Sequence, residues 1–379
     1  MARLGDVATY INGYAFKPED WSQTGLPIIR IQDLTGNSYQ ANRYDGEYEQ
    51  KYEVNDGDVL ISWSASLGVY VWHGEKAVLN QHIFKVVFDK AEISKSFFVH
   101  QVENILEMAS SSTHGATMKH LTKPVFDALP FFLPSLDEQR KIAAVLDKIS
   151  DLIAKRRRQL DQLDELVQSR FVEMFGDPLF NTKGWAQVAI KDACASILGG
   201  GTPSKSNHEY FTGTIPWVSP KDMKTSIIDD SIDHITEDAI ANSTTNLVPQ
   251  NSVLMVVRSG ILKHTLPVAI NRVPVAINQD MKAFIPNDRI TAEYFMYYLK
   301  SIEQDILGNV RCVTADNIDF KAFQTRQISL PPLKLQQQFT SFLTCSNTFR
   351  FLVYNSLKKL ELLKQALMQE YFGGLEKAI

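Results

Sequence analysis

The sequence predicts an α+β protein in which two similar mixed α/β domains are separated by two long helices that pair along a coiled-coil seam. Three observations predict it. Residues 136–176 and 333–373 each hold a long amphipathic run with no proline and no glycine before the last position. The two runs align without a gap at an offset of 197 positions. Short β-rich segments that precede the first run recur in the same order before the second.

Residues 1–135 read as the first domain. LPIIRI at 26–31 and VLISW at 59–63 are short runs rich in β-formers, the second entered through the turn Asn55-Asp56-Gly57-Asp58. AVLNQ at 77–81 and IFKVVF at 83–88 follow, and FFVHQVENILEM at 97–108 has helical spacing.

Residues 136–176 form the central spacer helix. Ile142, Leu146, Ile149, Ile153, Leu160, Leu163, Val167 and Met174 recur at alternating steps of four and three, with Arg156 and Arg170 in two places of that rhythm. A 3.5-residue period marks a coiled-coil seam. About 40 residues at 1.5 Å each give a helix of roughly 60 Å, too long to bury its stripe in one small domain. The second run supplies the partner, with Val353, Leu357, Leu360 and Leu367 on its seam. Leu136 falls on Leu333, Gln139 on Gln336, Glu173 on Glu370, and Phe175-Gly176 on Phe372-Gly373. Even Leu133-Pro134 falls on Leu330-Pro331. Antiparallel packing spreads the polar seam positions Arg156, Arg170, Ser346, Arg350 and Lys364 instead of stacking them.

Residues 177–184 are a linker with turn chemistry, and the second domain runs from 177 to 332. IPWVSPKDM at 215–223 echoes 26–34, with Asp222 on Asp33. Residues 252–256 echo 58–62, VAINQ at 275–279 echoes AVLNQ at 77–81, and Thr314 and Ile318 echo Thr117 and Leu121. Residues 333–379 are the C-terminal spacer helix. A repeat of this length is a statement about architecture.

At 379 residues the chain is too long for one core. No stretch approaches a membrane span, the N-terminus lacks a secretory pattern, and three scattered cysteines fit a reducing cytoplasm and no metal cage. A net charge of −4 counts against a solitary DNA binder, which is usually basic, unless a local basic face or a basic partner compensates.

No catalytic constellation stands out. Residues 198–206 (LGGGTPSKS) invite a phosphate-loop reading, but Ser204 stands where a glycine must precede the lysine and Pro203 offers no N–H. The aminomethyltransferase-like run at 175–180 has Leu179 in place of the second proline. Histidines, cysteines and carboxylates show no metal spacing, so neither a cofactor nor a metal is expected. Residues 155–158 (KRRR) read as a solvated helical face, with a contact to DNA phosphate or to an acidic partner second. Arg30, Gln32, Lys221, Arg258, Lys263 and His264 lie at or just after predicted strand ends. Arg and Gln read guanine and adenine edges bidentately in the major groove. Each alone is an ordinary surface residue; the repeat gives the set weight, because loops that differ on a shared frame are where differing recognition sits.

Taken together, Arg3-Leu4-Gly5-Asp6-Val7, the Leu-Pro-x-Leu-x-Glu-Gln run at 133–139, Phe175-Gly176-Asp177 followed by Lys183-Gly184-Trp185, and Gly200-Gly201-Thr202-Pro203-Ser204 resemble the specificity subunits of Type I restriction–modification systems. The resemblance covers the whole chain. It departs at Ile190-Lys191-Asp192-Ala193, which replaces the Leu-Gly-Asp-Val type of start, and at Lys334-Leu335, which replaces Asp137-Glu138. It implies that each globular domain is a target recognition domain reading one half of a split double-stranded DNA sequence. It also implies that the helices pack as an antiparallel coiled coil, act as a spacer and dock two methyltransferase subunits, that restriction subunits complete the complex, and that the chain is cytoplasmic and has no catalysis of its own. Two rivals remain at this point: a tandem-repeat protein–protein adaptor without nucleic acid, and an enzyme such as a methyltransferase or NTPase.

Overall fold

A computed structural model describes residues 2–36, 42–111, 122–309, 311–312 and 316–375. The expected echoes of Thr117 by Thr314 and of Leu121 by Ile318 involve residues outside that range. The chain divides into two compact units, Met1–Arg157 with Tyr354–Ile379, and Arg158–Val353. The boundary between the units falls inside both long helices.

The first unit is built on two sheets. One is antiparallel, in the order Thr9–Asn12, Ile83–Val87, Val59–Ser62, Gly68–Val71. The other is mixed, in the order Arg43–Tyr44, Leu26–Ile29, Ala77–Leu79, Glu53–Val54, with Ile28 beside Val78 in parallel. Val59–Ser62 is buried at every position, as expected of a strand covered on both faces. The helix Lys95–Ser111 packs Phe97, Phe98, Val102, Ile105 and Leu106 onto the antiparallel sheet.

The second unit repeats this plan. Its antiparallel sheet runs Cys194–Gly199, Met281–Pro286, Val253–Val256, Val268–Asn271 and then adds a fifth strand, Ile227–Ile228. Its mixed sheet runs His234–Ile235, Ile215–Val218, Val275–Ile277, Leu247–Val248. The helix Ala292–Ser301 stands where Lys95–Ser111 stands in the first unit, opened by Thr291, whose hydroxyl accepts from the Tyr294 N–H at 3.2 Å.

Both long runs are helical for 40 residues, Leu136–Phe175 and Leu333–Phe372. They pack antiparallel. In the first unit Ile142, Ala143 and Leu146, near the start of one helix, share a core with Met368 and Phe372 at the end of the other. In the second unit Val167, Phe171 and Phe175 share a core with Phe339 and Leu343. Ion pairs cross between the helices in each unit: Arg157 Nη2 to Glu361 Oε1 at 2.7 Å, and Arg350 to Asp164 through both guanidinium nitrogens.

The seam follows the 3.5-residue period only in part. Ile142, Leu146, Ile149, Ile153, Leu163, Val353 and Leu357 are buried, and Leu160 and Leu360 half-buried. Towards each helix end the buried stripe moves by one residue. Phe171 and Phe175 are buried where the heptad expects Arg170 and Met174, and Met368 and Phe372 are buried beside a half-buried Leu367. The reason is the change of neighbour. Phe171 stacks on Tyr294 with centroids 5.6 Å apart, and Phe372 meets Phe97 at 5.6 Å. There the helix packs on a globular core, so its straight 3.6-residue geometry governs the stripe.

One buried side chain fixes the entry of each helix. Gln139 Oε1 accepts from the Ser94 N–H at 2.8 Å, while its Nε2 donates to Pro134 O at 3.0 Å and Glu92 O at 3.3 Å. Gln336 repeats this with the Thr291 N–H at 2.8 Å, Pro331 O at 2.8 Å and Arg289 O at 3.0 Å. Gln139→Leu preserves the volume and removes all three bonds, leaving buried backbone groups unpaired at about 1–3 kcal/mol each. Denaturant unfolding should show a loss of about 2 kcal/mol or more, whereas a change below about 0.5 kcal/mol would mean that the bracket is ornamental.

The first unit adds a polar bridge. His100 Nε2 lies 2.8 Å from Asp147 Oδ1, Ser96 Oγ donates to the same oxygen at 2.5 Å, and Lys364 Nζ donates to Glu103 Oε2 at 3.0 Å. The His100 ring and the Lys364 ammonium hold Glu103 at about 2 against an ordinary 4.5. A folded value below the unfolded one means stabilisation that is complete above about pH 4.5 and lost as the pH falls towards 2. Glu103→Gln is therefore expected to flatten the acid limb of Tm against pH within that window. An unchanged acid limb would remove Glu103 from the account of acid unfolding.

Candidate nucleic-acid interface

Each unit gathers polar side chains where strand ends meet a glycine turn, and the backbone frame is the same in both. In the first unit the Tyr14 N–H donates to Leu79 O at 2.8 Å, and in the second the Gly201 N–H donates to Ile277 O at 3.0 Å. The glycine before each is forced by contact. A Cβ on Gly13 would stand 2.0 Å from Asn80 O, and one on Gly200 would stand 1.9 Å from Asn278 O. The glycine-rich stretch at 199–201 is thus a close backbone crossing over Asn278-Gln279.

Around the second crossing, Asp280 organises the side chains. Its Oδ1 takes Arg258 Nε and Nη2, both at 2.6 Å, and its Oδ2 takes Gln279 Nε2 at 3.1 Å and Asn278 Nδ2 at 3.3 Å. Its backbone carbonyl accepts from the Val257 and Arg258 N–H groups at 2.8 and 3.2 Å. The Thr202 hydroxyl donates to Gln279 Oε1. Lys263 Nζ lies 3.9 Å from Asp316 Oδ2, and the Asp316 carbonyl accepts from the Ser259 N–H at 3.1 Å. Arg258, Gln279 and Lys263 are exposed while the carboxylates that orient them are not. Such a cluster presents fixed donors to an acceptor-rich surface.

Of the residues singled out by sequence, Arg258 and Lys263 enter this cluster. His264 is exposed at the end of the short turn Gly260–Lys263, and Lys221 is exposed on the turn after Ile215–Val218. In the first unit Arg30 is turned inward: Nε and Nη2 reach the Asp33 carboxylate at 3.1 and 3.4 Å, and the side chain is 14% exposed. With its amide turned so that the oxygen faces the guanidinium, Gln32 accepts from Arg30 Nη1 and Nη2 at 3.1 and 2.9 Å. The pair Arg30–Asp33 therefore braces a turn, and Gln32 is its exposed member. The matching turn in the second unit is braced by the Ser219 N–H and hydroxyl, each donating to Asp222 Oδ2 at 2.8 Å.

Sequence reasoning missed Thr202, Gln279 and Asp280, although the Asn-Gln pair recurs at 80–81 and 278–279 and could have pointed to the crossing. It also missed the aromatic character of the first unit's crossing. Trp63 stacks on Phe84 at 5.7 Å, lies edge-on to His82 at 4.9 Å, and donates from Nε1 to Asn12 Oδ1 at 3.1 Å. Tyr14, next to Gly13 in sequence, stands exposed at the same crossing. Among the described residues no group of three or more His, Cys, Asp or Glu could hold a metal, and no helix is long and apolar enough to cross a membrane.

The family model described as "Type I restriction modification DNA specificity domain" matches residues 1–165 and 182–361. The chain is 34% identical over 245 residues to the Type I restriction enzyme EcoR124I/EcoR124II specificity subunit of Escherichia coli, a match covering 64% of this chain and 59% of that one. It is 20% identical over 416 positions to the Type I restriction enzyme EcoBI specificity subunit of Escherichia coli, covering 98% and 85%. In fold it is similar to the Type I restriction-modification system S subunit from M. genitalium, with a TM-score of 0.58, 13% identity and coverage of 97% and 94%. A chain from a structure of the type I R-M system gives a TM-score of 0.57 at 18% identity, covering 97% and 96%.

Proposed function

The chain belongs to the Type I restriction modification DNA specificity domain family, and from that membership we propose that it is the sequence-reading subunit of a DNA methyltransferase and restriction complex in the cytoplasm. In this reading each globular domain recognises one half of a bipartite target in double-stranded DNA. The helix pair separates the readers and docks two methyltransferase subunits, restriction subunits join the full complex, and the chain itself catalyses nothing.

The observation that carries this reading is a kept frame with exchanged side chains. Both units cross a glycine over an Asn-Gln strand end. One surrounds that crossing with Tyr14, Trp63 and His82, the other with Thr202, Arg258 and Lys263. Two readers of one plan with different side chains suit two different half-sites. An acidic chain tolerates this role when partner subunits supply much of the phosphate contact. A protein–protein adaptor, in contrast, would show no salt-dependent DNA affinity even with its partners present.

Methylation mapping in cells with and without the chain tests the function directly. Exchanging residues 1–135 for the matching domain of a related protein is expected to change one half of the methylated motif and leave the other intact. Arg258→Ala should weaken the complex by about 1–3 kcal/mol if the guanidinium is bidentate on a base, with the loss confined to the other half. A change in both halves after either alteration would contradict separate readers. Methyl transfer by the purified chain alone would contradict the absence of catalysis.

A further inference from the structure

Asp280 fixes which way the hydrogen-bonding atoms of its neighbours face. A carboxylate only accepts, so the Gln279 atom 3.1 Å from Asp280 Oδ2 is the amide nitrogen. The amide oxygen lies on the other side, where the Thr202 hydroxyl donates to it. An amide that could otherwise turn over is thus held one way round. Thr202 is itself well placed, because the Gly201 N–H donates to Ile277 O at 3.0 Å and Trp217 Nε1 donates to Gly201 O at 3.1 Å.

The guanidinium is fixed in the same manner. Arg258 Nε and Nη2 both stand 2.6 Å from Asp280 Oδ1, so the carboxylate covers one side of the planar group. The far edge, made by Nη1 and the second hydrogen of Nη2, is a two-pronged donor that this carboxylate leaves open. Both Arg258 and Gln279 are exposed.

The two presented edges differ in kind. The guanidinium edge is donor beside donor, and the amide edge is donor beside acceptor. In the major groove guanine offers two acceptors, O6 and N7, whereas adenine offers the acceptor N7 beside the donor N6. The guanidinium edge matches guanine and meets a donor on adenine. The amide edge matches adenine and sets oxygen against oxygen on guanine. Both side chains are held by the two oxygens of one carboxylate, so they reach adjacent base pairs, which rise about 3.4 Å each.

The first unit keeps the glutamine and exchanges its neighbours. By the matching crossings and strand registers, Gln81 takes the place of Gln279, and Ala15, Ser64 and His82 take the places of Thr202, Arg258 and Asp280. Alanine, serine and histidine supply neither a carboxylate nor a guanidinium at these places.

Resting on the reading of each unit as a DNA reader, we propose that Arg258 and Gln279 are specificity-determining residues for a guanine and an adenine at adjacent base pairs of the half-site read by the second unit. Asp280 is the positioning residue for both, since it turns the two edges outward in a fixed sense.

The test uses the full chain in its assembled methyltransferase complex. Methylated-motif mapping, combined with the exchange of residues 1–135, identifies the half-site that the second unit reads; it should hold a guanine and an adenine at adjacent base pairs. A duplex of that site is then made with 7-deazaguanine or 7-deazaadenine at one of the two positions, which removes the N7 acceptor and keeps the base pairing. With the unaltered complex, 7-deazaguanine should weaken binding about tenfold or more and 7-deazaadenine about threefold or more, the costs of a charged and a neutral hydrogen bond. Gln279→Ala should abolish the effect of 7-deazaadenine and keep that of 7-deazaguanine, and Arg258→Ala should do the reverse. Asp280→Asn should relax the choice of base at both positions together while affinity for unrelated DNA stays the same, a pattern that general loss of structure does not give. A mapped half-site without the two bases, or analogues without effect in the unaltered complex, would overturn the assignment and leave the DNA-reading function standing. Absence of any methylated motif that depends on the chain would overturn that function and this assignment with it. The mapping and both analogue measurements use the unmodified residues, so they stand whether or not the variants fold.

Discussion

Neither globular core closes without both long helices. Phe372 lies against Phe97, and Phe175 lies against Tyr294 and Phe339. The first unit thus borrows residues from the far end of the chain, and the second unit takes the end of one helix and the start of the other. An aromatic side chain buried in such a place contributes several kcal/mol, since truncation to alanine typically costs about 3–5 kcal/mol. The antiparallel direction of the helix pair follows from this shared burial as much as from the seam. The glutamine brackets at Gln139 and Gln336 then set where each helix leaves its domain.

This arrangement separates two tasks that a DNA reader must perform. The cores and helix ends hold the frame, and the crossings sit on strand ends at the margin of that packing, where Trp63 rests on Phe84. Asp280 aligns Arg258, Asn278 and Gln279 from one carboxylate, so their donors are ordered before a ligand arrives. In the first unit Trp63, held by Phe84 and Asn12, gives a rigid apolar and aromatic counterpart. The frame can stay constant while the crossing changes, because none of these side chains contributes to the buried seam.

Much of this was legible in the sequence, for physical reasons. A gapless match over two 40-residue helices makes them partners, the family resemblance supplies their antiparallel direction, and a strand buried on both faces, such as Val253–Val256, announces itself by composition. At the helix ends the heptad positions Arg170, Met174 and Leu367 are only half-buried and the fully buried places pass to Phe171, Phe175, Met368 and Phe372, because the period of a stripe reports the neighbour it packs on and that neighbour changes there. Reading Arg30 as a presented side chain overlooked Asp33, three residues on, which draws the guanidinium back onto its own turn. Lys221 and His264 are exposed but stand outside the Asp280 cluster. Gln279 was hidden because a residue type says nothing of side-chain direction until the glycine crossing is in place.

The proposed function makes the distance between half-sites a property of the helix pair, and that is the most direct test. The two compact units meet within the helices, between Arg157 and Arg158 and between Val353 and Tyr354. Inserting four residues at both junctions adds roughly 6 Å while keeping the stripe close to phase. Methylated-motif mapping of the assembled enzyme should then show both half-site sequences unchanged and the unread gap longer by one or two base pairs, at about 3.4 Å each. Methylation of both half-sites at the original spacing would contradict the account.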